Sequence, residues 1–348
     1  MIASYTIHDL KFKKPAKTSR NVLETKRLFL LKIQEGPLEG YGEISPFIGL
    51  SIDDRPDFLE KLNQTIEAFN EGLPLEELDL AQWPSIAFGL DTALRDLKNG
   101  GRRQFFKGPF ADGLSSIEIN GLIWMASKEE MLEQVEDKIQ QGYRCIKMKI
   151  GALDFDEECR MLEAIRKKYS PFQIELRVDA NGAFPLSDAL AMLNDLHRFE
   201  LHSIEQPIRQ GNWEMMAELC AKSQLDIALD EELLGVNPLD EGKKMIKAIR
   251  PKYLILKPGL LGAFATSSAW IKNAEAMETA WWITSALESN LGLAAIAQYT
   301  AGCDNPLPQG LGTGQLYTNN FPSPLQIRQG RLAQDGPEKW NLILPLSE

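Results

Sequence analysis

The sequence predicts an α/β fold, a (β/α)8-type barrel preceded by an N-terminal α+β capping domain. Five short apolar runs each end in a charged residue, as buried parallel strands do where their carboxyl ends open onto a site. Successive runs are spaced roughly 25–30 residues apart, which suits one strand, one helix and two loops per unit. Reactive groups in such barrels gather at the carboxyl ends of the strands. The runs are 145–149, 174–179, 203–205, 226–230 and 253–257.

The composition excludes several classes of protein. The 348 residues suffice for one large barrel and a smaller domain. A net charge of −11 argues against a nucleic-acid or anionic-membrane partner. The N-terminus predicts a strand rather than a signal peptide, and no run of about 18 uncharged apolar residues predicts a membrane span. The cysteines form no C-x-x-C pair, so we expect reduced thiols and a cytoplasmic protein. They are Cys145, Cys159, Cys220 and Cys303.

Residues 1–105 are predicted to form the capping domain. Alternation of polar and apolar residues predicts strands, and apolar residues at helical spacing predict helices. Two loops are expected to be mobile: the basic segment at about 11–25, which contains Pro15, and a segment with apolar side chains at about 45–52. The predicted strands are 1–10, about 26–34 and 39–44, and the predicted helices are about 55–71 and 84–98.

Residues 114–312 are predicted to form the barrel. Besides the five runs, strands are expected at 116–120, at 280–285 and near 307–310, which makes eight. The remaining segment, 313–348, is expected to return and pack on the capping domain, because its strand-like parts at 325–327 and 342–344 have no barrel position left. Amphipathic helices are predicted at 127–141, 155–168, 186–198, 211–222, 238–249, 263–277 and 291–301.

Three lysines are candidates for proton transfer. Lys147 and Lys149 lie two residues apart on one strand, so both side chains leave the same face. Two close, partly buried ammonium groups disfavour each other's charge, which favours a neutral amine that can act as a base. Lys257 ends the sixth strand and is expected roughly opposite Lys149 across the mouth. The alternatives are two exposed lysines on an edge strand and a rim lysine that extends into solvent.

Three carboxylates, those of Asp179, Glu205 and Asp230, end three successive strands. Neighbouring strands lie about 4.8 Å apart, so these groups would repel one another unless a cation bridges them. Three oxygen ligands favour a hard ion such as Mg²⁺. Each carboxylate could instead cap the following helix, which explains three in a row poorly. Asn181 is expected to point the same way as Asp179, and Glu231 is expected to point away from the mouth.

Polar residues after the last two strands are candidates for substrate binding. Ser285 and Ser289 precede a predicted helix, where hydroxyls and backbone N–H groups can hold a carboxylate. An N-cap role is an equal alternative for each. The glycines at 310–314 weakly resemble a phosphate loop, and Gly310 is expected to let a substrate approach the backbone. The histidines do not cluster at strand ends and are interpreted as structural; they are His8, His197 and His202.

Together these motifs resemble the enolase superfamily, in its muconate-lactonising subgroup. The resemblance covers essentially the whole chain and implies an enolase-like modified TIM barrel, with two mobile capping-domain loops that set specificity. It further implies Mg²⁺, with Mn²⁺ as an alternative, held by the three carboxylates. Lys149 would remove an α-proton, and Lys257 would stabilise the resulting charge. The matching motifs are Lys147-Met-Lys149, Arg177-Val-Asp-Ala-Asn181, Ile204-Glu-Gln-Pro207, Leu229-Asp-Glu-Glu232 and Leu256-Lys-Pro-Gly259.

Two segments, 285–293 and 309–317, resemble one branch of the subgroup. Its members eliminate water from 2-succinyl-6-hydroxy-2,4-cyclohexadiene-1-carboxylate in menaquinone biosynthesis, so the resemblance implies a carbon–oxygen lyase. The related dipeptide epimerases usually carry an Asp-x-Asp after the eighth strand that binds the substrate amine. This chain has Gly310-Leu-Gly-Thr313 there. The difference argues against a substrate with an α-ammonium group.

Other functions are open on the sequence alone. Lys149 and Lys257 on opposite faces would also suit an N-acylamino acid racemase or a dipeptide epimerase of the same superfamily. From another class, Lys257 could be the nucleophile of a Schiff-base aldolase. A barrel that only binds ligands would leave the three carboxylates unexplained. The expected partner is a small-molecule carboxylate substrate, and the sequence predicts no oligomeric state.

Overall fold

The N-terminal part of the protein is a small antiparallel sheet with helices packed on it. The computed structural model describes residues 1–17, 22–336 and 340. The sheet has the strand order β1-β2-β3. These elements confirm the predicted strands and helices of this region, with shifts at their ends. They are β1 (Ile2–Lys17), β2 (Val22–Glu35), β3 (Leu38–Ile44), α1 (Phe58–Asn70) and α2 (Pro84–Lys98).

Helix α2 packs directly on β3. Pro84 begins the helix, where the N–H that proline lacks would have no intrahelical partner. Gly42 and Gly89 permit a close approach, because a Cβ added to Gly42 would meet the carbonyl oxygen of Gly89 at 2.1 Å. The contact fixes the position of β3. Glu43 is thereby held at the end of β3 that faces the barrel, where it is fully buried.

The predicted mobile loop at 11–25 is wrong in part. Residues 11–17 belong to β1 and residues 22–25 belong to β2, with an irregular register between Lys11 and Ala16. Backbone pairing in a hairpin does not depend on side-chain polarity, and Pro15 is tolerated because β1 is an edge strand with an irregularity at that point. Residues 18–21 lie outside the described residues. Residues 45–52 have neither helix nor strand, and their mobility stays a prediction.

In the described part of the chain, seven parallel strands form a curled sheet in the order β11-β10-β9-β8-β7-β6-β5. Gln309 and Gly310 close it, since Gln309 pairs with Ile119 and Gly310 with Thr284, both in parallel. The predicted eighth strand is therefore reduced to two bridging residues. The strands of this part are β4 (Ser116–Glu118), β5 (Gly121–Ile123), β6 (Cys145–Lys149), β7 (Glu175–Asp179), β8 (Ser203–Glu205), β9 (Ile227–Leu229), β10 (Tyr253–Leu256) and β11 (Ala280–Ile283).

Helices separate the barrel strands at the positions that apolar periodicity predicts. A π-helical turn at Pro238–Gly242 replaces the first part of the helix expected at 238–249. The short α8 directly follows Lys257 and was not predicted. The helices are α3 (Lys128–Gln140), α4 (Phe155–Lys168), α5 (Ala189–His197), α6 (Trp213–Lys222), α7 (Lys243–Ile249), α8 (Pro258–Leu261), α9 (Phe264–Ala276) and α10 (Asn290–Ala301).

The predicted first barrel strand at 116–120 is wrong in part. Ser116–Glu118 is β4, which pairs antiparallel with a strand near the C-terminus, whereas Ile119 takes part in closing the barrel and the parallel sheet begins with β5. Polar residues alternate with an apolar one in β4, and all three are half-buried. That pattern suits an antiparallel strand at the surface better than a barrel strand buried on both faces.

The C-terminal segment packs on two parts of the molecule. Residues 316–318 follow the capping domain: Lys13 N–H donates to Leu316 O at 2.8 Å, and Thr318 N–H donates to Lys11 O at 2.9 Å. The predicted packing of 325–327 on the capping domain is wrong, because β12 (Leu325–Arg328) and β13 (Arg331–Gln334) form a sheet with β4. A strand at 342–344 would lie outside the described residues.

Hydrophobic cores support the capping sheet and the barrel. One core lies between the capping sheet and its helices, and a larger one surrounds the barrel and reaches the capping sheet at Leu10, Leu28, Leu30 and Tyr41. In the described part of the chain, no helix is long and apolar enough to cross a membrane. All four cysteines are free thiols. The exact division into 1–105, 114–312 and 313–348 stays a prediction.

Candidate active site

The strand ends bring the predicted charged residues to one mouth of the barrel. Lys149 pairs in register with Asp179, and Asp179 pairs with Glu205 on the next strand. Asp230 directly follows β9, and Lys257 directly follows β10. The three carboxylates are buried, as is Lys257. The geometry matches the predicted convergence of lysines and carboxylates.

Ion pairs link these groups in a continuous cluster. Lys147 Nζ lies 2.5 Å from Glu205 Oε2 and 2.8 Å from Asp179 Oδ2. Lys149 Nζ lies 2.5 Å from the same Asp179 oxygen. On the other side, Lys257 donates a hydrogen bond to Asp230, and its Nζ lies 3.8 Å from Glu205 Oε1. The lysines therefore approach the carboxylates from two sides.

The cluster shifts the pKa values of its members in opposite directions. Burial lowers the pKa of Lys147, but Asp179, Glu205 and Asp230 together raise it above its ordinary value. Burial raises the pKa of Asp179, yet three lysines hold it well below its usual range. Burial and the neighbouring Asp179 carboxylate raise the pKa of Glu205 to about 8. Of these two adjacent carboxylates, Asp179 therefore ionises first, and its charge then opposes ionisation of Glu205.

The prediction of a lowered lysine pKa is wrong for Lys147. Burial and a neighbouring ammonium group were expected to lower that pKa, but carboxylates also reach the lysine from two adjacent strands. Lys257 behaves similarly, since burial lowers its pKa but Asp230 and Glu205 raise it further. Both side chains are cations in this arrangement.

The donor set fits a hard divalent cation. Within residues 1–17, 22–336 and 340, no three His, Cys, Asp or Glu side chains form a group that could hold a metal ion as they stand. Lysine ammonium groups lie between the carboxylates instead. Among the described residues, however, Glu205 Oε1 is buried without a hydrogen-bond partner. Three carboxylates with one unused buried oxygen are the ligands that Mg²⁺ or Mn²⁺ prefers.

Asn181 connects Lys149 to a fourth acidic residue. Its Oδ1 accepts from Lys149 Nζ at 2.8 Å, and its Nδ2 donates to Glu231 Oε1 at 3.1 Å. The backbone of Asn181 is left-handed, with φ at +47°, which asparagine tolerates better than most residues. The expectation that Glu231 points away from the mouth is wrong. Glu231 follows Asp230 in a short 3₁₀ turn that directs its side chain towards Asn181.

A cavity lies above the charged cluster and between the two domains. Its lower wall contains Lys147, Lys149, Lys257 and Asn181. Apolar side chains from both domains line much of the rest, which suits a substrate that contains a hydrocarbon ring. The apolar lining residues are Leu23, Phe47, Ile48, Leu50, Leu122, Trp124, Ala286 and Leu287.

The predicted serines differ in position. Ser285 lines the cavity, and its hydroxyl bonds that of Thr313. Ser289 lies behind the loop as the N-cap of α10, accepting from Leu291 N–H at 3.1 Å, and its hydroxyl donates to Glu43. Its contacts favour the N-cap interpretation over substrate binding. Gly310 lines the cavity, and a Cβ there would meet Thr284 Oγ1 at 2.4 Å. Its role in letting a substrate approach the backbone stays a prediction.

Several residues of the site were not predicted. Gln206 accepts from Asp230 N–H at 3.2 Å and donates to Glu232 at 3.0 Å, so it holds the loop after β9. Its place directly after Glu205 was the signal that could have identified it. Trp124 lines the cavity, and its position just after a barrel strand was a comparable signal. Among the described cavity-lining residues there is no histidine, and His202 stacks on Tyr253 elsewhere in the barrel.

The fold and this cluster define the class of protein. Residues 130–337 match the family model "Enolase C-terminal domain-like", and residues 9–97 match "MenC, N-terminal domain". The chain belongs to the enolase superfamily. Membership confirms the predicted barrel with its N-terminal domain, and it implies dependence on a divalent metal ion.

Similarity to known proteins narrows the class. The o-succinylbenzoate synthase of Desulfotalea psychrophila is 45% identical, over 95% of this chain and 98% of that protein. The crystal structure of MenC from the same organism superimposes with a TM-score of 0.84 at 43% identity, covering 96% of this chain and 99% of that one. The N-succinylamino acid racemase of Thermus thermophilus is 32% identical, over 48% of this chain and 43% of that protein. The chain belongs to the o-succinylbenzoate synthase family, a lyase family of the superfamily.

Proposed function

We propose that this protein is an o-succinylbenzoate synthase. It would remove an α-proton from 2-succinyl-6-hydroxy-2,4-cyclohexadiene-1-carboxylate and eliminate the β-hydroxyl as water from the same face, in menaquinone biosynthesis. The observation that carries the proposal is the arrangement of Lys149 and Lys257 beside three buried carboxylates under one apolar cavity. The 45% identity to the Desulfotalea psychrophila enzyme supports this reaction over others of the superfamily. The cytoplasmic location is part of the same proposal.

Asp179, Glu205 and Asp230 would hold Mg²⁺, or Mn²⁺ in its place. When bound, the ion supplies positive charge beside the substrate carboxylate, where negative charge develops as the α-proton leaves. Such a charge is needed because the α-proton of a carboxylate is otherwise far too weakly acidic for a free amine to remove. Gln206 supports the site by accepting from the backbone of Asp230.

Lys149 would act first as base and then as acid. Its Nζ faces the cavity and is oriented from one side by Asp179 and Asn181. In its neutral form it takes the α-proton, and the C–H electron pair moves into the ring carboxylate. The pair then returns to form a C=C bond as the C–O bond to the hydroxyl breaks, and Lys149 donates its proton to that oxygen. Water leaves and the ring becomes aromatic.

Lys257 would remain a cation throughout. Its ion pair with Asp230 raises its pKa, although burial works against this. It stands on the other side of the cluster from Lys149, so it can stabilise negative charge on the substrate carboxylate while Lys149 moves the proton. The same ion pair opposes the aldolase alternative, because a Schiff-base nucleophile must be a neutral amine.

The test is turnover of the cyclohexadiene substrate by the wild-type protein with Mg²⁺ and with EDTA. We expect product only with the metal ion. Lys149→Ala should reduce turnover by about 10²- to 10⁴-fold, the usual contribution of a general acid–base, while Mg²⁺ still binds by calorimetry. Lys252→Ala, exposed at the other end of the barrel, is the control. Wild-type turnover in EDTA, or near-normal turnover by Lys149→Ala, would contradict the proposal.

Racemisation of N-succinylamino acids is a second candidate. Two lysines that reach the cavity from opposite sides suit removal of a proton from one face and its return to the other. Similarity to the Thermus thermophilus racemase over part of the chain favours the same chemistry. Exchange of solvent deuterium into both enantiomers of an N-succinylamino acid would support it, and incorporation into neither would exclude it.

A further inference from the structure

A buried lysine of the capping domain contacts both walls of the cavity. Lys26 lies on β2 and is 6% exposed. Its Nζ donates to the carbonyl oxygen of Ala286 at 2.5 Å, which joins the capping domain to the barrel loop after β11. The same ammonium group lies 5.3 Å from the centre of the Phe47 ring, on the capping-domain loop. Ala286 and Phe47 both line the cavity.

The groups around Lys26 form a buried junction between the domains, consisting of Lys26, Glu43, Glu288 and Tyr317. Glu288 Oε2 accepts from Ala286 N–H at 2.7 Å. Glu43 accepts from Ser289 N–H at 3.0 Å and from the N–H of Gly292 at 3.1 Å. These bonds fix both carboxylates on the backbone of the barrel. The charges of both carboxylates act on the Lys26 ammonium group, whose hydrogen bond goes to the Ala286 carbonyl.

The barrel loop at 284–287 needs this support. Leu287 has a φ of +65°, a left-handed conformation that branched and bulky residues rarely adopt. Its carbonyl accepts from Tyr317 Oη at 2.7 Å, and the preceding carbonyl accepts from Lys26. Both carbonyls are thus held by side chains that do not themselves line the cavity. The path of the backbone beside the substrate depends on donors from outside the barrel.

We infer that Lys26 is a positioning residue for the substrate. Through the Ala286 carbonyl and the Phe47 ring, it sets the distance between the barrel loop at 284–287 and the capping-domain loop at 45–50. This inference rests on the proposed function, since it concerns the same cavity. Lys26 acts through these two groups and not by touching the substrate, so its loss should weaken substrate binding more than it slows proton transfer.

The first experiment compares Lys26→Met with Lys26→Arg. The Met variant should raise KM about 10- to 100-fold, the usual effect of losing a hydrogen bond to a charged group, with a smaller fall in kcat. It should weaken binding of o-succinylbenzoate, measured by calorimetry with Mg²⁺, by a similar factor. Arginine can donate to the same carbonyl and should restore most of the affinity. Lys32→Met, on the same strand with its Nζ at the surface near Glu39, is the control.

A second variant separates positioning from stability. Lys26→Met removes the positive charge that offsets the buried negative charges of Glu43 and Glu288, so it should also lower Tm. Adding Glu288→Gln removes one of these buried charges and keeps an acceptor for Ala286. The double variant should regain much of the lost Tm and keep the raised KM, because the Ala286 carbonyl is still not held. It also provides the measurement if Lys26→Met alone does not fold.

Two outcomes overturn the inference. One is a double variant whose KM and o-succinylbenzoate affinity return to wild-type values together with Tm, which would make Lys26 merely structural. The other is a Lys26→Met variant that resembles Lys32→Met. Turnover of the cyclohexadiene substrate by the wild-type protein distinguishes these two outcomes from a failure of the proposed function. If it does not convert the cyclohexadiene substrate, the function is wrong, whereas calorimetry still reports on Lys26.

Discussion

The mouth of the barrel and the junction beside it both bury charged groups, but they hold them differently. At the mouth, each of the three lysines contacts at least one carboxylate side chain, and Lys147 and Lys257 each contact two. At the junction, the carboxylates of Glu43 and Glu288 accept from backbone N–H groups. Side-chain pairs can exchange partners when a ligand arrives, whereas backbone partners cannot move without moving the fold.

The difference suggests separate tasks for the two regions. The mouth can give up lysine–carboxylate contacts to a metal ion and a substrate, which is what catalysis requires. The junction keeps its contacts and thereby fixes the position of the cavity wall. Removing a charge should therefore damage chemistry at the mouth, and substrate affinity or stability at the junction.

The largest expected effect is at the mouth, for Asp179→Asn. The variant keeps the shape of the side chain but removes the charge that Lys147 and Lys149 share. Loss of one partner from a buried charge pair is worth about 3–5 kcal/mol, or roughly 10²- to 10⁴-fold in kcat/KM. Magnesium affinity should fall as well, measured by calorimetry. Asp188→Asn, at an exposed position before α5, is the control. A kcat/KM of Asp179→Asn within tenfold of wild type would contradict the catalytic role assigned to the mouth.

A smaller effect is expected for Asn181→Gly. Glycine keeps the left-handed backbone but removes the amide that orients Lys149 and contacts Glu231. Loss of a hydrogen bond to a charged group predicts a fall in kcat of about tenfold or more. Steady-state kinetics should show kcat falling more than KM rises, the opposite of Lys26→Met.

A matched substitution controls for the backbone. Glu200 is exposed, lies outside the mouth and also has a left-handed φ, of +50°. Glu200→Gly should leave kcat unchanged. An equal loss of activity in both variants would mean that glycine acts through flexibility and not through the lost amide.

The smallest effect is a pH dependence of stability at the junction. Burial raises the pKa of Glu288, Lys26 lowers it, and Glu43 raises it again, with a net rise above the ordinary value of 4.5. The folded protein then binds this proton more tightly than the unfolded chain does. Stability is therefore lost as the pH rises above 4.5 and is regained as the pH falls, by up to about 1.4 kcal/mol per pH unit.

Glu288→Gln should remove this dependence. Tm of the variant, measured from about pH 4 upwards, should rise relative to that of wild type as the pH increases through the window above 4.5. The difference between the two proteins at each pH isolates Glu288 from the other buried acids. A constant difference across the window would show that the junction does not bind the proton preferentially in the folded state.

Regular spacing made the mouth predictable from the sequence. The charges of Lys149, Asp179, Glu205, Asp230 and Lys257 follow apolar runs at the repeat length of a βα unit, so their convergence needs only the rule for parallel strand ends. The matching motifs then indicated the superfamily. Local periodicity likewise predicted α2 and α4 with their observed bounds.

The junction could not be predicted in this way. Lys26 lies in a polar run, residues 24–27, that precedes the apolar run 28–31, and consecutive polar residues are typical of an exposed segment. Its burial depends on Ala286, which lies 260 residues further along the chain. The same limit applies to β4, whose partner β13 is distant in sequence, and to the contact between Glu231 and Asn181. The burial of Lys26, the pairing of β4 and the contact between Glu231 and Asn181 all depend on residues that are far apart in the sequence.

The closure of the barrel by Gln309 and Gly310 has a consequence for how this family can change its substrate. Even a methyl group at position 310 would collide with Thr284, so this side of the pocket resists mutation. Another part of the lining comes from Leu23, Ile48 and Leu50 of the capping domain, whose side chains are exposed or only partly buried. Evolution of new specificities should therefore accumulate on the N-terminal side and leave the glycine unchanged.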